Sequence, residues 1–332
     1  MEATYDLYCK DLPTKAIMGQ KILVTGATGY IGGELIPELV ARGYMVRVMV
    51  RSFIQDYVTR WPEVEIVEAD VLEYDQLEKA VEGIDCIYYL IHSLYHPHQF
   101  MELDRHAADN LSKAAEKFAV KRIIYLGSLG NTALKLSDHL WSRHQVAKIL
   151  QEGKTPVTFL RAAVIIGSGS ASYRIIHHLV KNCPVFVFPS WADSECQPIA
   201  ISDVIKYLIG CLETKETAGQ TLDIGGPEIL TYRMILKNHG KVLKKKRLYL
   251  DSGISSVKLY SNMACIFTPI SYKLIKVLME SCINHVVCQN TDVQTLVPFK
   301  TVNYIDATRM ALQRESQLMH FKKWMHNENK HR

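Results

Sequence analysis

Residues 21–33, Lys-Ile-Leu-Val-Thr-Gly-Ala-Thr-Gly-Tyr-Ile-Gly-Gly, restrict the chain to few folds. Ile22, Leu23 and Val24 form a short uncharged run of the kind buried on both faces of a sheet, and Gly26 ends it. The spacing then predicts a helix: Ile31, Leu35, Ile36, Leu39 and Val40 share one face, Glu34, Glu38 and Arg42 fall off it, and Gly43 supplies a stop. Three glycines, Gly26, Gly29 and Gly32, occupy the turn between strand and helix. Their missing side chains permit, in that order, a tight turn, approach of backbone N–H groups to a pyrophosphate, and close packing of helix on strand. The helix N-terminus faces the anion, so Gly26, Thr28, Gly29, Tyr30, Ile31 and Gly32 are candidate contacts for it.

The residues that follow repeat the unit. Met45 to Val50 reads as a second buried strand, and its end is where a dinucleotide fold places the group that reads the adenosine ribose. A carboxylate there accepts from a free 2′-hydroxyl; this chain has Arg51 followed by Ser52, which favours a 2′-phosphate and hence NADP(H) over NAD(H). A third strand, Val64 to Val67, leads to Asp70 and Val71, where a carboxylate is placed to accept from the adenine amino group or, alternatively, to start the next helix. Cys86 to Ile91 is a fourth strand opening into His92-Ser93, and Arg122 to Leu126 a fifth opening into Ser128. Between them a helix buries Leu103, Ala107, Leu111, Ala114, Ala115 and Phe118. Alternating strands and helices argue for a doubly wound parallel sheet of the Rossmann kind, an α/β fold whose strand carboxyl ends carry His92 and Ser128 on the ligand side.

A further helix from about His139 to Leu150 sets His139 and Arg143 four residues apart on one face, as a pair projecting into one cleft would require. Pro156 to Leu160 is the sixth strand. Residues 20–168 are therefore assigned to the dinucleotide-binding domain, with 197–227 rejoining it as late strands. Residues 169–196 and 228–315 are assigned to a smaller substrate or lid region, with a helical face at Tyr272, Ile275, Leu278, Met279 and Ile283. Residues 1–19 are expected to be a loosely held leader and 316–332 a basic tail.

Composition narrows the setting. With 48% hydrophobic and 22% charged residues the chain is an ordinary globule, and its mild net charge of +5, much of it in Lys244 to Arg247 and the tail from Lys322, reads as solvated surface before nucleic-acid binding. Eight cysteines without a Cys-x-x-Cys pair suit reduced thiols and a cytoplasmic setting. The apolar stretch Leu259 to Tyr272 contains Pro269 and is too short to span a membrane, although peripheral contact stays open. His92, His96 and His98 have no carboxylate or Cys at a ligand-like spacing, so no metal is expected. A small-molecule substrate is the expected partner, to a monomer or homodimer.

These residues resemble the short-chain dehydrogenase/reductase superfamily in its extended or atypical branch. The likeness is carried by Gly26, Gly29 and Gly32, by Asp70-Val71, by Ser128, and by the order of elements to about Ile224. Stretches such as Tyr88 to Ser93, Ser142-Arg143-His144, Leu160 to Ser170 and Gln197 to Ile201 are similar to a bacterial group of NAD(P)-binding, NmrA-like or sugar-nucleotide-epimerase-like proteins. The resemblance implies a catalytic Ser at Ser128. It also implies that His139 stands where the superfamily has its proton-transferring Tyr, and Arg143 where it has the Lys that holds the nicotinamide ribose. An always-protonated Arg cannot serve a Lys-type proton relay, whereas a His can act as acid or base near neutral pH. Three readings follow: an NADP(H)-dependent oxidoreductase acting on a small, partly apolar substrate, conjugated carbonyls among the candidates; an epimerase-like enzyme; or a cofactor-binding regulator or assembly factor without turnover.

Overall fold

The computed structural model describes residues 7–93 and 99–328, with side chains up to residue 317. The chain forms two compact units, the first made of Met1–Ala163, Ser202–Ile224 and Asn284–Lys300, the second of Val164–Ile201, Gly225–Ile283 and Thr301–Arg332.

The first unit begins with β1 (Lys21–Val24), α1 (Tyr30–Ala41), β2 (Met45–Val50), α2 (Asp56–Arg60), β3 (Glu65–Glu68) and α3 (Tyr74–Val81). It continues through β4 (Cys86–Tyr89), α4 (Phe100–Lys117), β5 (Arg122–Ser128), α5 (Asp138–Glu152) and β6 (Val157–Ala162). In the second unit, β7 (Ile165–Ile166), α6 (Ala171–Asn182), β8 (Val185–Phe188), β9 (Glu195–Cys196) and β10 (Ile199–Ala200) come next. The chain re-enters the first unit along α7 (Ile201–Glu213) and β11 (Thr221–Ile224).

Seven strands form one sheet in the order β11-β6-β5-β4-β1-β2-β3, every neighbouring pair parallel. The order reverses direction between β1 and β4, and in such sheets the crevice beyond the carboxyl ends at that reversal is where ligands sit. Ile22, Leu23, Val24, Ile87, Tyr88, Ile123 and Ile124 are fully buried, as strands covered on both faces require. Tyr88 and Tyr89 alternate across the sheet: the Tyr88 hydroxyl donates to the Leu208 carbonyl at 3.0 Å, and the Tyr89 ring packs on Tyr125 at 5.8 Å.

Three differences from the sequence reading have physical causes. Ile199–Ala200 does not rejoin the large sheet; it pairs with Ile165–Ile166 as a short separate ladder in the second unit, and only Thr221–Ile224 extends the sheet. Residues 284–300 belong to the first unit, tied there by hydrogen bonds. The Gln289 N–H donates to the Asp223 carboxylate at 2.7 Å, and the Asn284 side chain accepts from the Ser137 N–H at 3.1 Å. The leader is not loose over its described part. The Cys9 N–H donates to buried Glu38 at 3.3 Å, Arg42 donates to the carbonyls of Cys9 and Thr14, and Cys9 and Leu12 are buried.

The second unit continues with β12 (Leu230–Thr231), α8 (Tyr232–Val242), β13 (Leu248–Asp251), α9 (Val257–Phe267) and α10 (Tyr272–Ser281). The short helix α11 (Asp292–Leu296) belongs to the first unit, and α12 (Tyr304–Glu328) to the second. Its three small ladders are β7 with β10, β9 with β12 and β8 with β13. Val180, Cys183, Phe186, Phe188 and Ala192 form one apolar cluster in it, and Ile175, Ala264 and Ile275 another. Of the predicted helical face, Ile275 is buried, Leu278 and Met279 pack half-buried against its cluster, and Ile283 lies beyond α10 and is exposed. Among the described residues, no helix is long and apolar enough to cross a membrane.

The leader depends on one ion pair. Arg42 Nε lies 2.6 Å from Glu213 Oε1, Thr14 Oγ1 donates to the same carboxylate at 2.5 Å, and the Glu213 side chain is fully buried. Removing one partner of a buried pair leaves the other charge uncompensated. Glu213→Ala is expected to cost about 3–5 kcal/mol in urea unfolding and to raise amide exchange across residues 8–17; protected amides there would show that the ion pair does not hold the segment.

Candidate active site

The turn after β1 is shaped by what lies beside it. Gly26 has φ +66°, and a Cβ there would lie 2.8 Å from the Leu90 carbonyl oxygen at the end of β4. A Cβ on Gly32 would lie 2.7 Å from the Gly26 carbonyl oxygen and 2.8 Å from Ala27 Cα. Both positions therefore require glycine, one for backbone conformation and close approach, the other for seating α1 on the turn. Thr28 and Gly29 are exposed, Gly29 is the N-cap, and α1 has neither a side-chain cap nor an acidic residue in its first turn. The helix thus begins without a side-chain cap, at the positive end of its dipole, a setting for an anion. Tyr30 and Ile31 form its first turn.

Arg51 follows β2 directly and is exposed. Asp70 has one carboxylate oxygen in a turn, accepting from the Leu72 N–H at 3.0 Å, while Val71 is buried and its carbonyl accepts from Asn110 at 3.0 Å. A basic residue missed in the sequence stands close to the same turn. Arg60 of α2 packs over Trp61 at 4.7 Å, and its guanidinium approaches Gly33 so closely that a Cβ there would be 2.8 Å away.

At the neighbouring strand ends the structure gathers Ser128, His92, His139 and Arg143. β4 and β5 pair with Tyr89 opposite Tyr125, so His92 and Ser128 lie equally far, three residues, along the two chains. The Ser128 hydroxyl and His92 Nε2 are both buried, and neither has a hydrogen-bond partner among the described residues. Arg143 is buried and clamps the two strand ends. Its guanidinium donates to the carbonyls of Ile91, at 3.0 Å, and Leu126, and stacks 4.7 Å above the Tyr125 ring. These bonds differ from the ribose contact expected of it. His139 does not stand on the helix surface; its ring lies on that of His92, 5.1 Å between centroids and 13° from parallel. His144 points elsewhere, edge-on to Phe159 at 6.0 Å. His96 and His98 lie outside the described residues, and among the described residues no group of three or more His, Cys, Asp or Glu is arranged to hold a metal.

Asp104, on α4, was not anticipated. It is buried and collects three donors: the Ser93 N–H at 2.9 Å, His92 Nδ1 at 3.1 Å and the Ser142 hydroxyl at 3.2 Å. Burial alone would raise its pKa, but the hydrogen bond and charge of His92, with Arg143 and Ser93, outweigh it and hold the carboxyl at about 2. A signal for it exists in the sequence. Asp104 is in phase with buried Phe100, Ala108 and Leu111 on α4, whereas neighbouring Leu103 is only half-buried. His92 is pushed down to about 4, by burial first and by the Arg143 charge second. Burial also drives His139 well below the ordinary imidazole range. All these groups stand at the carboxyl ends; a shallow hollow lined by Lys117, Lys121 and Lys154 lies at the other end of the sheet, where β5 and β6 begin.

The acid side of stability follows. An imidazole held below its unfolded value leaves the unfolded chain binding more protons, so stability is full above pH 6.5 and is lost as the pH falls toward 4. Asp104 extends the loss from 3.8 down to about 2. Between pH 7 and 4, His92 is expected to account for about 3 kcal/mol. Urea unfolding at these pH values should be correspondingly less pH-dependent in His92→Gln, and an unchanged dependence would exclude His92 as a contributor.

Comparison with known proteins agrees with this geometry. Residues 26–178 match the family model described as NAD(P)H-binding. The NADH-ubiquinone oxidoreductase 40 kDa subunit of Neurospora crassa is 24% identical over 70% of this chain and 63% of its own. The divinyl chlorophyllide a 8-vinyl-reductase of Arabidopsis thaliana is 23% identical over 62% of this chain and 53% of its own. The chain thus spans less than two thirds of these curated relatives. Triphenylmethane reductase from Citrobacter sp. has the same fold, with a TM-score of 0.71 and 20% identity over 88% of this chain and 99% of that one. With its glycine turn and its seven-stranded order, the chain carries an NAD(P)H-binding domain over residues 26–178 and shares the fold of that reductase structure.

Proposed function

We propose that the protein is a cytoplasmic NADP(H)-dependent oxidoreductase that moves hydride between the nicotinamide and a small, partly apolar substrate, conjugated carbonyls being the first class to consider. One observation carries this reading. An uncapped helix N-terminus suited to a pyrophosphate stands on one side of the sheet's reversal point, and two buried polar atoms without partners, Ser128 Oγ and His92 Nε2, stand on the other. The cofactor, when bound, supplies the hydride; the chain supplies binding, orientation and hydrogen bonds.

Each residue has a stated part. The first turn of α1, with Gly26, Thr28, Gly29, Tyr30, Ile31 and Gly32, receives the pyrophosphate. Arg51 favours a 2′-phosphate, with Arg60 a second cation near the turn. Asp70 and Val71 border the adenine. Ser128 donates to the substrate oxygen, a bond that strengthens if charge develops there. His139 braces His92, and Arg143 fixes the strand ends that carry His92 and Ser128. Structural neighbours point the same way: a Citrobacter sp. triphenylmethane reductase complexed with NADP(H), and an NADPH-dependent quinone oxidoreductase from Escherichia coli. One observation favours the alternative of binding without turnover: Arg143 is committed to main-chain carbonyls, and His139 to packing, at the two positions where the superfamily has its Lys and Tyr.

Titration of nicotinamide fluorescence with NADPH and NADH tests the first point. NADPH is expected to bind more tightly, and Arg51→Ala to weaken it about tenfold, the worth of one charged hydrogen bond, with NADH unaffected. Equal affinities that Arg51→Ala leaves alone would refute the 2′-phosphate assignment. Oxidation of NADPH across a panel of quinones and enones then separates the readings. Turnover reduced about a hundredfold in Ser128→Ala supports the oxidoreductase; tight binding with no turnover supports the regulator.

A further inference from the structure

The buried cluster around Asp104 specifies more than a pocket. We propose that His92 Nε2 is a fixed hydrogen-bond acceptor for a hydroxyl of the bound ligand, and that Asp104 is the positioning residue that makes it so. The inference rests on the nicotinamide reading above and deepens it by naming the ligand group required at this spot.

Asp104 is ionised and can only accept, so the 3.1 Å bond to His92 Nδ1 requires the proton on Nδ1. Burial and the nearby Arg143 charge keep the imidazole neutral, which leaves Nε2 with a lone pair and no proton. The Ser93 N–H and Ser142 hydroxyl hold the carboxylate in place, and the His139 ring, 13° from parallel, holds the imidazole plane. Nε2 is itself buried with no partner among the described residues, and an unmet buried acceptor is unfavourable until a donor arrives. Ser128 Oγ, equally far along the adjacent strand, has a donor to offer and likewise no partner. A ligand carrying an acceptor and a hydroxyl near one another satisfies both. Two sources supply such a hydroxyl: the cofactor's ribose, or an alcohol form of the substrate.

The test reads protonation directly and needs no turnover. Protein with ring-¹⁵N histidine is recorded free, with saturating NADP⁺, and with NADP⁺ plus benzyl alcohol; His92→Gln assigns the resonance. The free protein is expected to show the proton on Nδ1 and an unbonded Nε2. A move of Nε2 toward the hydrogen-bonded range with NADP⁺ supports the proposal with ribose as the source. A move only on adding benzyl alcohol supports it with the substrate as the source. In Asp104→Asn, whose amide can donate to Nδ1 while its oxygen keeps the Ser93 N–H, the proton should shift to Nε2 and ligand binding should weaken about tenfold. A proton on Nε2 in the wild-type protein overturns the inference. So does an Nε2 signal unmoved by both ligands; if the same sample binds NADPH, the nicotinamide reading survives, and if it does not, both fall. Should Asp104→Asn fail to fold, the wild-type spectra decide alone.

Discussion

Backbone crowding between two strand ends sets the geometry on which the rest of the first unit depends. Gly26 turns with φ +66° so close to the Leu90 carbonyl that no side chain fits. That contact joins the end of β1 to the end of β4, the two strands between which the sheet reverses its order. Because the turn is tight, α1 starts immediately above it, and because Gly32 also lacks a Cβ, the helix seats directly on the turn. The uncapped start of α1 and the end of β4, with His92 just beyond, are thereby held side by side.

Two charged groups then stiffen the neighbouring strand ends in opposite ways. Arg143 brings a cation to the carboxyl ends of β4 and β5 and places it on two main-chain carbonyls and the Tyr125 ring, so its charge is solvated by fixed dipoles and a π face. Asp104 brings an anion and surrounds it with three donors. Neither charge is stable when buried without such partners, and each partner set includes a main-chain group directly beside His92, the Ile91 carbonyl for Arg143 and the Ser93 N–H for Asp104. The electrostatics of the site and the rigidity of its backbone are one arrangement.

Much of the first unit was legible in the chain. Strands β1 and β4 are uncharged apolar runs, β2, β5 and β6 are mostly apolar, and the glycine spacing identifies the turn before any contact is known. Arg51 follows from position alone, because the end of a second strand is a fixed place in this fold. His139 and Arg143 were readable as a pair on one helical face, but not as to what that face meets. Periodicity says that two side chains lie one above the other; it does not say that one stacks on His92 and the other bonds the Ile91 carbonyl. The short strand Ile199–Ala200 was misplaced because two apolar residues fit either sheet equally well.

By itself the sequence determined the strand and helix alternation, the glycine turn and the cation after β2, since each is a local pattern bound to backbone geometry or to a place in the element order. Only the tertiary structure decided the contact of His92 with Asp104, the clamp made by Arg143, the tethering of the 8–17 segment to Arg42 and Glu213, and the return of residues 284–300 to the first unit. Each of these joins groups distant along the chain, and a hydrogen bond between such groups has no periodicity to announce it.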